Sequence, residues 1–299
     1  MAAESGLVLV DKPTDWTSHD VVARVRRLAG TRRVGHAGTL DPMATGLLVL
    51  GVERATRLLT YVVGADKDYD ATVRLGVTTT TDDAGGEVLA RVGAGNVDPS
   101  AIDAAVRALT GPILQVPSAV SAIKVDGRRA YARVRAGEEV RLEPRPVTVD
   151  RFDVVDRRER LADGATVVDL DVRVRVSSGT YVRALARDLG AALGVGGHLT
   201  SLRRTRVGGY RVTGARTVEQ LTEELAVLPM AEAARAIFPA RELDQEQAEH
   251  LRHGRRVEPA GEGGTRDAPV AAFAPDGTLV ALVADDGGAT RPVLVLAPA

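Results

Sequence analysis

Residues 36–48 read HAGTLDPMATGLL, a stretch with one carboxylate, Asp41, between a small-residue turn and an apolar run. A lone carboxylate can act as a nucleophile toward the anomeric carbon of a sugar. Retaining glycosidases set two carboxylates around that carbon, and this loop holds no second acid. The stretch equally suits a structural role, because Asp-Pro pairs are common turn formers. Spacing alone leaves both readings open. Gly35, Gly38 and Pro42 supply the turn and allow a bulky partner to approach the backbone closely.

Other segments offer complementary chemistry. Residues 177–188 (SSGTYVRALARD) read as a strand end, a glycine turn and a helix start. Arg183, at the lip of that helix, suits pairing with a carboxylate or phosphate. Tyr181 suits closing an apolar pocket, although capping and packing explain both residues too. Residues 67–70 (KDYD) set Tyr69 among charges. In a chain with 3% aromatics, such a tyrosine is either a base-stacking platform or an edge-strand residue. His36 has no second metal ligand near it in the sequence. His250 and His253 lie near Glu249 at helical spacing, a pattern that usually marks a wet helix face. No G-x-G-x-x-G or GKS/GKT phosphate loop follows a strand. No metal is expected.

These groups need elements to position them. A strand is expected over 6–10, then a helix from an N-cap at Ser18 to about Ala29, ended by Gly30. Residues 46–52 read as a buried strand and 54–63 as a short helix. Residues 67–75 alternate as a strand, and 78–96 form an extended loop or hairpin. A helix is expected over 99–109. Residues 121–125 suggest a strand and 129–136 a brief helix. Strands follow over 147–155 and 165–176, with Val168, Leu170, Val172, Val174 and Val176 on one face. Helix 181–193, strand 199–207 and a largely helical stretch 218–236 complete the main body. After Pro239 come helix 245–252, a loop over 258–268, two strands around Pro275-Asp276-Gly277 and a last strand over 292–296. The pattern implies an α+β fold with a mixed, largely antiparallel sheet over 1–238 and a small β-rich unit over 239–299.

Composition fits one large domain with a small appendage. The chain has 299 residues, 44% hydrophobic and 26% charged, and no cysteine. Disulfides, cysteine nucleophiles and iron–sulfur clusters are excluded. No apolar run approaches the roughly 20 residues that span a bilayer, and the N-terminus lacks the basic region of a signal peptide. A cytoplasmic protein is expected. Net charge is -1, which speaks mildly against nucleic acid. The arginines nonetheless bunch at Arg24, Arg26, Arg27, Arg32 and Arg33, and again at Arg203, Arg204 and Arg206. Of 39 basic residues only Lys12, Lys67 and Lys124 are lysine. A lysine kept against such an arginine bias suggests a need for a compact ammonium.

Seven segments taken together resemble the TruB family of tRNA pseudouridine synthases, bacterial branch. They are GLVLVDKPTDWTSHDVV (6–22), GHAGTLDPMATGLL (35–48), DKDYDATVRLG (66–76), TTDDAGG (80–86), PSAVSAIKVDGRRAY (117–131), SSGTYVRALARDLG (177–190) and HLTSLRRTRVGGY (198–210). The resemblance implies a largely antiparallel sheet with a central cleft. It implies conversion of the T-loop uridine, tRNA position 55, to pseudouridine without a cofactor. By resemblance Asp41 is the catalytic aspartate, Tyr69 the tyrosine stacked on the target base and Arg183 the cation that pairs with Asp41 and keeps it ionised. Tyr181 and Leu202 line the pocket, and His36 packs against the opened T loop. Lys12, the arginines after it and Arg203 are expected to contact the RNA. Residues 240–299 resemble a short PUA-like unit of actinobacterial members. A monomer is expected, with tRNA as partner. Two other readings remain: a tRNA-binding or tRNA-folding protein in which Asp41 is structural, and a hydrolase that releases free uracil.

Overall fold

A computed structural model describes residues 4–118, 124–125, 128–129, 142–162, 164–259 and 263–297. The expected helix over 129–136 and most of the strand over 121–125 lie outside the described residues.

Strand β1 (Gly6–Lys12) leads into helix α1 (Ser18–Ala29). Thr17 caps this helix rather than Ser18: its side chain accepts from the Asp20 N–H, and Asp20 caps back. Ser18 is buried and turned to the main chain of Leu40, from whose N–H it accepts at 2.9 Å. Gly30 ends α1 at φ 64°, a left-handed conformation that glycine adopts without strain. Strands β2 (Val34–Ala37) and β3 (Thr45–Val52) flank the Asp41 turn. A 3₁₀ turn (Glu53–Leu58) then runs into α2 (Leu59–Gly64) and β4 (Lys67–Leu75).

The expected hairpin after β4 forms from β5 (Val77–Thr79) and β6 (Val88–Arg91). Helix α3 (Pro99–Ala108), capped by Asp98, precedes β7 (Gly111–Gln115) and the two-residue strands β8 (Lys124–Val125) and β9 (Arg128–Arg129). Strand β10 (Arg145–Ala162) reaches well past residue 155, while its partner β11 (Ala165–Val176) has the expected bounds. Helix α4 (Val182–Ala192) and β12 (Gly197–Val207) follow. The stretch 218–236 is two six-residue helices, α5 (Val218–Glu223) and α6 (Met230–Arg235). Between them Leu228 and Pro229 pair with β1, because proline lacks the N–H that a continuous helix requires.

Among the described residues the main sheet has eleven strands. Along β1, β3, β12, β4, β11, β10 and β7 the pairings are antiparallel except β3 with β12. In β4 the period of two is strict: Tyr69, Ala71, Val73 and Leu75 are buried, while Asp68, Asp70, Thr72 and Arg74 face outward. The predicted face of β11 is buried in full, from Val168 to Val176. Helices α1, α3, α4 and α5 cover the inner face through Val21, Ile102, Leu185 and Leu221.

A second, four-stranded sheet contains Ala240–Glu242, Val270–Phe273, Leu279–Asp286 and Ala289–Val295. It packs on α7 (Gln245–Arg252) through Leu251 and Val280. Its other face shares a core with the main body, where Phe273 and Leu282 meet Leu58, Ala234 and Phe238. Arg57 donates to the Val295 carbonyl at 2.7 Å across the same junction.

Candidate active site

Three buried side chains hold the Asp41 turn. Lys12, at the end of β1, is fully buried, and its ammonium donates to the carbonyls of Pro13, Trp16 and Pro42 at 2.8, 2.6 and 3.2 Å. Ser18 clips Leu40 from the start of α1. Arg204, on β12, is 1% exposed and donates to the carbonyls of Gly38 and Leu47 at 3.1 and 2.7 Å. Gly46 lets β3 approach so closely that a Cβ there would meet the Arg204 carbonyl at 2.3 Å. The loop is therefore fixed before any substrate arrives.

Opposite it stands the N-terminus of α4. Gln115 clamps this turn, accepting from the Tyr181 N–H at 2.8 Å and donating to its carbonyl at 3.2 Å. Arg183, 4% exposed, grips Asp41 with two nitrogens, Nε at 2.9 Å and Nη2 at 3.3 Å. Its Nη1 donates to the Thr81 carbonyl at 2.8 Å and lies 3.4 Å from Asp83. Asp83 is itself held by the Thr81 hydroxyl at 2.6 Å and the Gly85 N–H at 2.9 Å. One guanidinium thus serves two carboxylates.

Burial pushes the Asp41 carboxyl above the usual carboxylate range; Arg183 pulls it back, and Asp83 adds to the upward push. The expectation that pairing alone sets its ionisation needs this correction. Asp41 lies in a cavity of about 310 Å³ lined also by Tyr69, Tyr181, Leu202, Lys67, Arg183 and Arg204. A cavity that sets a carboxylate among tyrosine and leucine side chains suits a flat, partly apolar ligand.

The structure brings Asp41, Tyr69, Tyr181, Arg183 and Leu202 together. It sets the other three expected residues apart from the cavity. Lys12 is not free to meet a phosphate, since a fully buried ammonium bonded to three carbonyls has no path to one. Burial holds it down at about 8, opposed by Asp15 and Asp41. Arg203 points to the opposite sheet face and forms a bidentate pair with Asp11 at 2.9 and 2.7 Å. A substrate contact inside the cavity is excluded for it. His36 is half-buried on β2, edge-on to His19 at 5.8 Å, and does not line the cavity. Burial pushes its imidazole down, and His19 adds to this.

Sequence reasoning missed Asp83, Lys67 and Arg204 as parts of the site. Lys67 shares the inward face of Tyr69 two residues away on β4, whereas Arg204 reaches that face through the register of β12 against β4. The expected wet helix face is also found: His253 and Glu249 lie 3.0 Å apart and exposed. Among the described residues no cluster of three His, Asp or Glu side chains is arranged for a metal, and no helix is long and apolar enough to cross a membrane.

The fold and the cavity agree with what the chain is similar to. Residues 26–182 match the TruB family pseudouridylate synthase N-terminal domain. Residues 183–243 match the tRNA pseudouridylate synthase B C-terminal domain, and 238–297 match the tRNA pseudouridine synthase II C-terminal region. The chain belongs to the TruB family of pseudouridylate synthases. A protein named tRNA pseudouridine synthase B from Arthrobacter sp. (strain FB24) is 64% identical over 98% of this chain and 97% of its own length. One of the same name from Thermobifida fusca (strain YX) is 59% identical over 98% of each. Among solved structures, a Cbf5-Nop10-Gar1 complex aligns at TM-score 0.71 and 26% identity over 98% of this chain and 85% of that one. An H/ACA RNP bound to a substrate RNA containing 2'-deoxyuridine aligns equally well at 25% identity.

Proposed function

We propose that this chain isomerises the T-loop uridine of tRNA, position 55, to pseudouridine, with Asp41 carrying the chemistry. The observation that carries the reading is the bidentate Asp41–Arg183 pair in a cavity walled by Tyr69 and Leu202. The reaction breaks N1–C1′ and makes C5–C1′, and the proton lost from C5 is matched by one gained at N1. Nothing is oxidised or hydrolysed, so a single carboxylate suffices where a glycosidase needs a second to activate water. Tyr69 stacks on the ring, Leu202 packs against it, and Arg183 orients Asp41.

The target base must leave its stack to reach this cavity, at a cost of a few kcal/mol. A T loop suits this, since proteins read RNA mainly through loops, stacking and 2′-hydroxyls. Residues 239–299 act as a PUA-like unit that holds a further part of the tRNA. The enzyme works as a monomer, and its tRNA substrate places it in the cytoplasm; light scattering of the purified protein tests the first point.

The deciding experiment is incubation with an unmodified tRNA transcript, followed by mapping of pseudouridine. Pseudouridine at position 55 is the expected result. Free uracil in place of pseudouridine would make the protein a hydrolase and overturn the proposal.

A further inference from the structure

Two cations in the cavity wall have no role in the mechanism above. Lys67 is 7% exposed and Arg204 1% exposed, and both line the cavity that holds Asp41. Among the described residues neither has a carboxylate within 4.0 Å. Lys67 donates to the carbonyls of Val63 and Ala65 at 3.0 and 2.6 Å, and Arg204 to those of Gly38 and Leu47. Burying a charge without a counter-ion is costly, and two such cations stand side by side. Between them and the Asp41 turn lies Gly38. A Cβ at Gly38 would sit 3.5 Å from the Arg204 guanidinium and 3.6 Å from Lys67 Cε, so the glycine leaves this wall bare.

We propose that Lys67, backed by Arg204, holds the uracil anion that exists between breakage of N1–C1′ and closure of C5–C1′. The inference rests on the reading of this cavity as a pseudouridine-forming site. Cleavage of N1–C1′ leaves the bonding pair on the base, where it spreads over N1, O2, O4 and C5. The detached ring must then turn to present C5. Directional hydrogen bonds at one edge would resist that turn, whereas a compact ammonium is a point charge that tolerates any orientation. When C5 attacks C1′ the negative charge is used in the new bond. The C5 proton then leaves to a base and N1 takes one up, so the product is an isomer. Preorganised charge aimed at developing negative charge is often the largest single catalytic contribution.

Burial, with Arg204 adding to it, holds Lys67 down at about 8, so it remains mostly protonated at neutral pH. Lys67 also closes the C-terminal end of α2 through the Val63 carbonyl. The test must therefore separate an electrostatic role from a capping one.

That separation comes from the leaving group. Single-turnover cleavage is measured on tRNA carrying uridine or 5-fluorouridine at the target position, because fluorine stabilises the ring anion by itself. Lys67→Gln keeps a donor for the carbonyls and removes the charge. It is expected to react about 100-fold slower than wild type on uridine, with tRNA affinity within about twofold. On 5-fluorouridine the deficit is expected to shrink to about tenfold or less. Lys67→Arg, which restores the charge as a directional fork, is expected to recover the rate only in part. Equal losses on both bases, or a loss confined to tRNA affinity, would overturn the inference. If Lys67→Gln does not fold, Arg204→Gln removes the second charge and is read by the same criterion. Failure of the wild type to make pseudouridine would instead sink the reading of the site, before any variant is compared.

Discussion

Arginine and aspartate meet on both faces of the main sheet, with opposite results. On the outer face Arg206 reaches Asp66 and Asp68, Arg175 reaches Asp68, and Arg158 reaches Asp171. Each aspartate there has its guanidinium, and Asp68 has two. Burial pushes Asp68 up, but the hydrogen bonds from Arg206 and Arg175 outweigh it and hold the carboxyl far below the usual range. In the cavity the Arg183 guanidinium is shared between Asp41 and Asp83. There burial wins, and Asp41 is pushed up. The same pair chemistry gives an inert surface lattice or a poised acid according to whether burial outweighs the hydrogen bonds from the guanidiniums.

Breaking the cavity side should have the largest effect. Asp41→Asn is expected to abolish pseudouridine formation, a loss of at least about 10⁴-fold, with tRNA binding retained. Near-normal turnover in a discontinuous pseudouridine assay would contradict the comparison. Asp83→Asn frees Arg183 from its second carboxylate. Activity is expected to fall about 10–100-fold as Arg183 loses an anchor. The acid limb of the pH–rate profile should move to lower pH, because the neighbouring negative charge that raises Asp41 is gone. In wild type that limb should lie above the ordinary carboxylate range, with the rate rising as Asp41 loses its proton. Lys12→Met strips the donor from three carbonyls and leaves a buried position refilled by an apolar chain, and should cost about 2–3 kcal/mol of stability by denaturant unfolding. The salt dependence of tRNA binding should not change, since Lys12 touches no phosphate.

The outer lattice should respond least. Asp68→Asn is expected to cost about 1 kcal/mol or less at pH 7, as for other half-exposed pairs. The depressed carboxyl gives stability that is present above the unfolded value near 4 and lost as pH falls through the folded one. The difference between variant and wild type should therefore shrink in acid, which chemical denaturation at a series of pH values would measure.

Much of the frame was legible. The alternation in β4 and β11 placed both strands and their buried faces, since a period of two has one physical meaning. Asp41, Tyr69 and Arg183 came from the resemblance, because spacing alone left Asp41 between nucleophile and turn former. The misses have local causes. Ser18 reads as a cap by type, yet Thr17 wins because Asp20 completes a box with it and Ser18 is drawn to Leu40. Arg203 and Arg204 are adjacent in sequence, and only the pairing of β12 tells which faces the cavity. Irregularities at Leu199/Ser201 and Arg204/Arg206 erase the simple alternation from which that could be read. Lys12 looked like a surface cation because no local pattern announces that three carbonyls will converge on it.

The core shared by the second sheet and the main body also bears on the substrate. Phe273 packs with Leu58, Ala234 and Phe238, and Arg235 lies 3.7 Å over the Phe273 ring. A joint filled this way does not hinge. The two parts are held at one span, so an RNA long enough to reach both would be gauged by the distance between its two contacts.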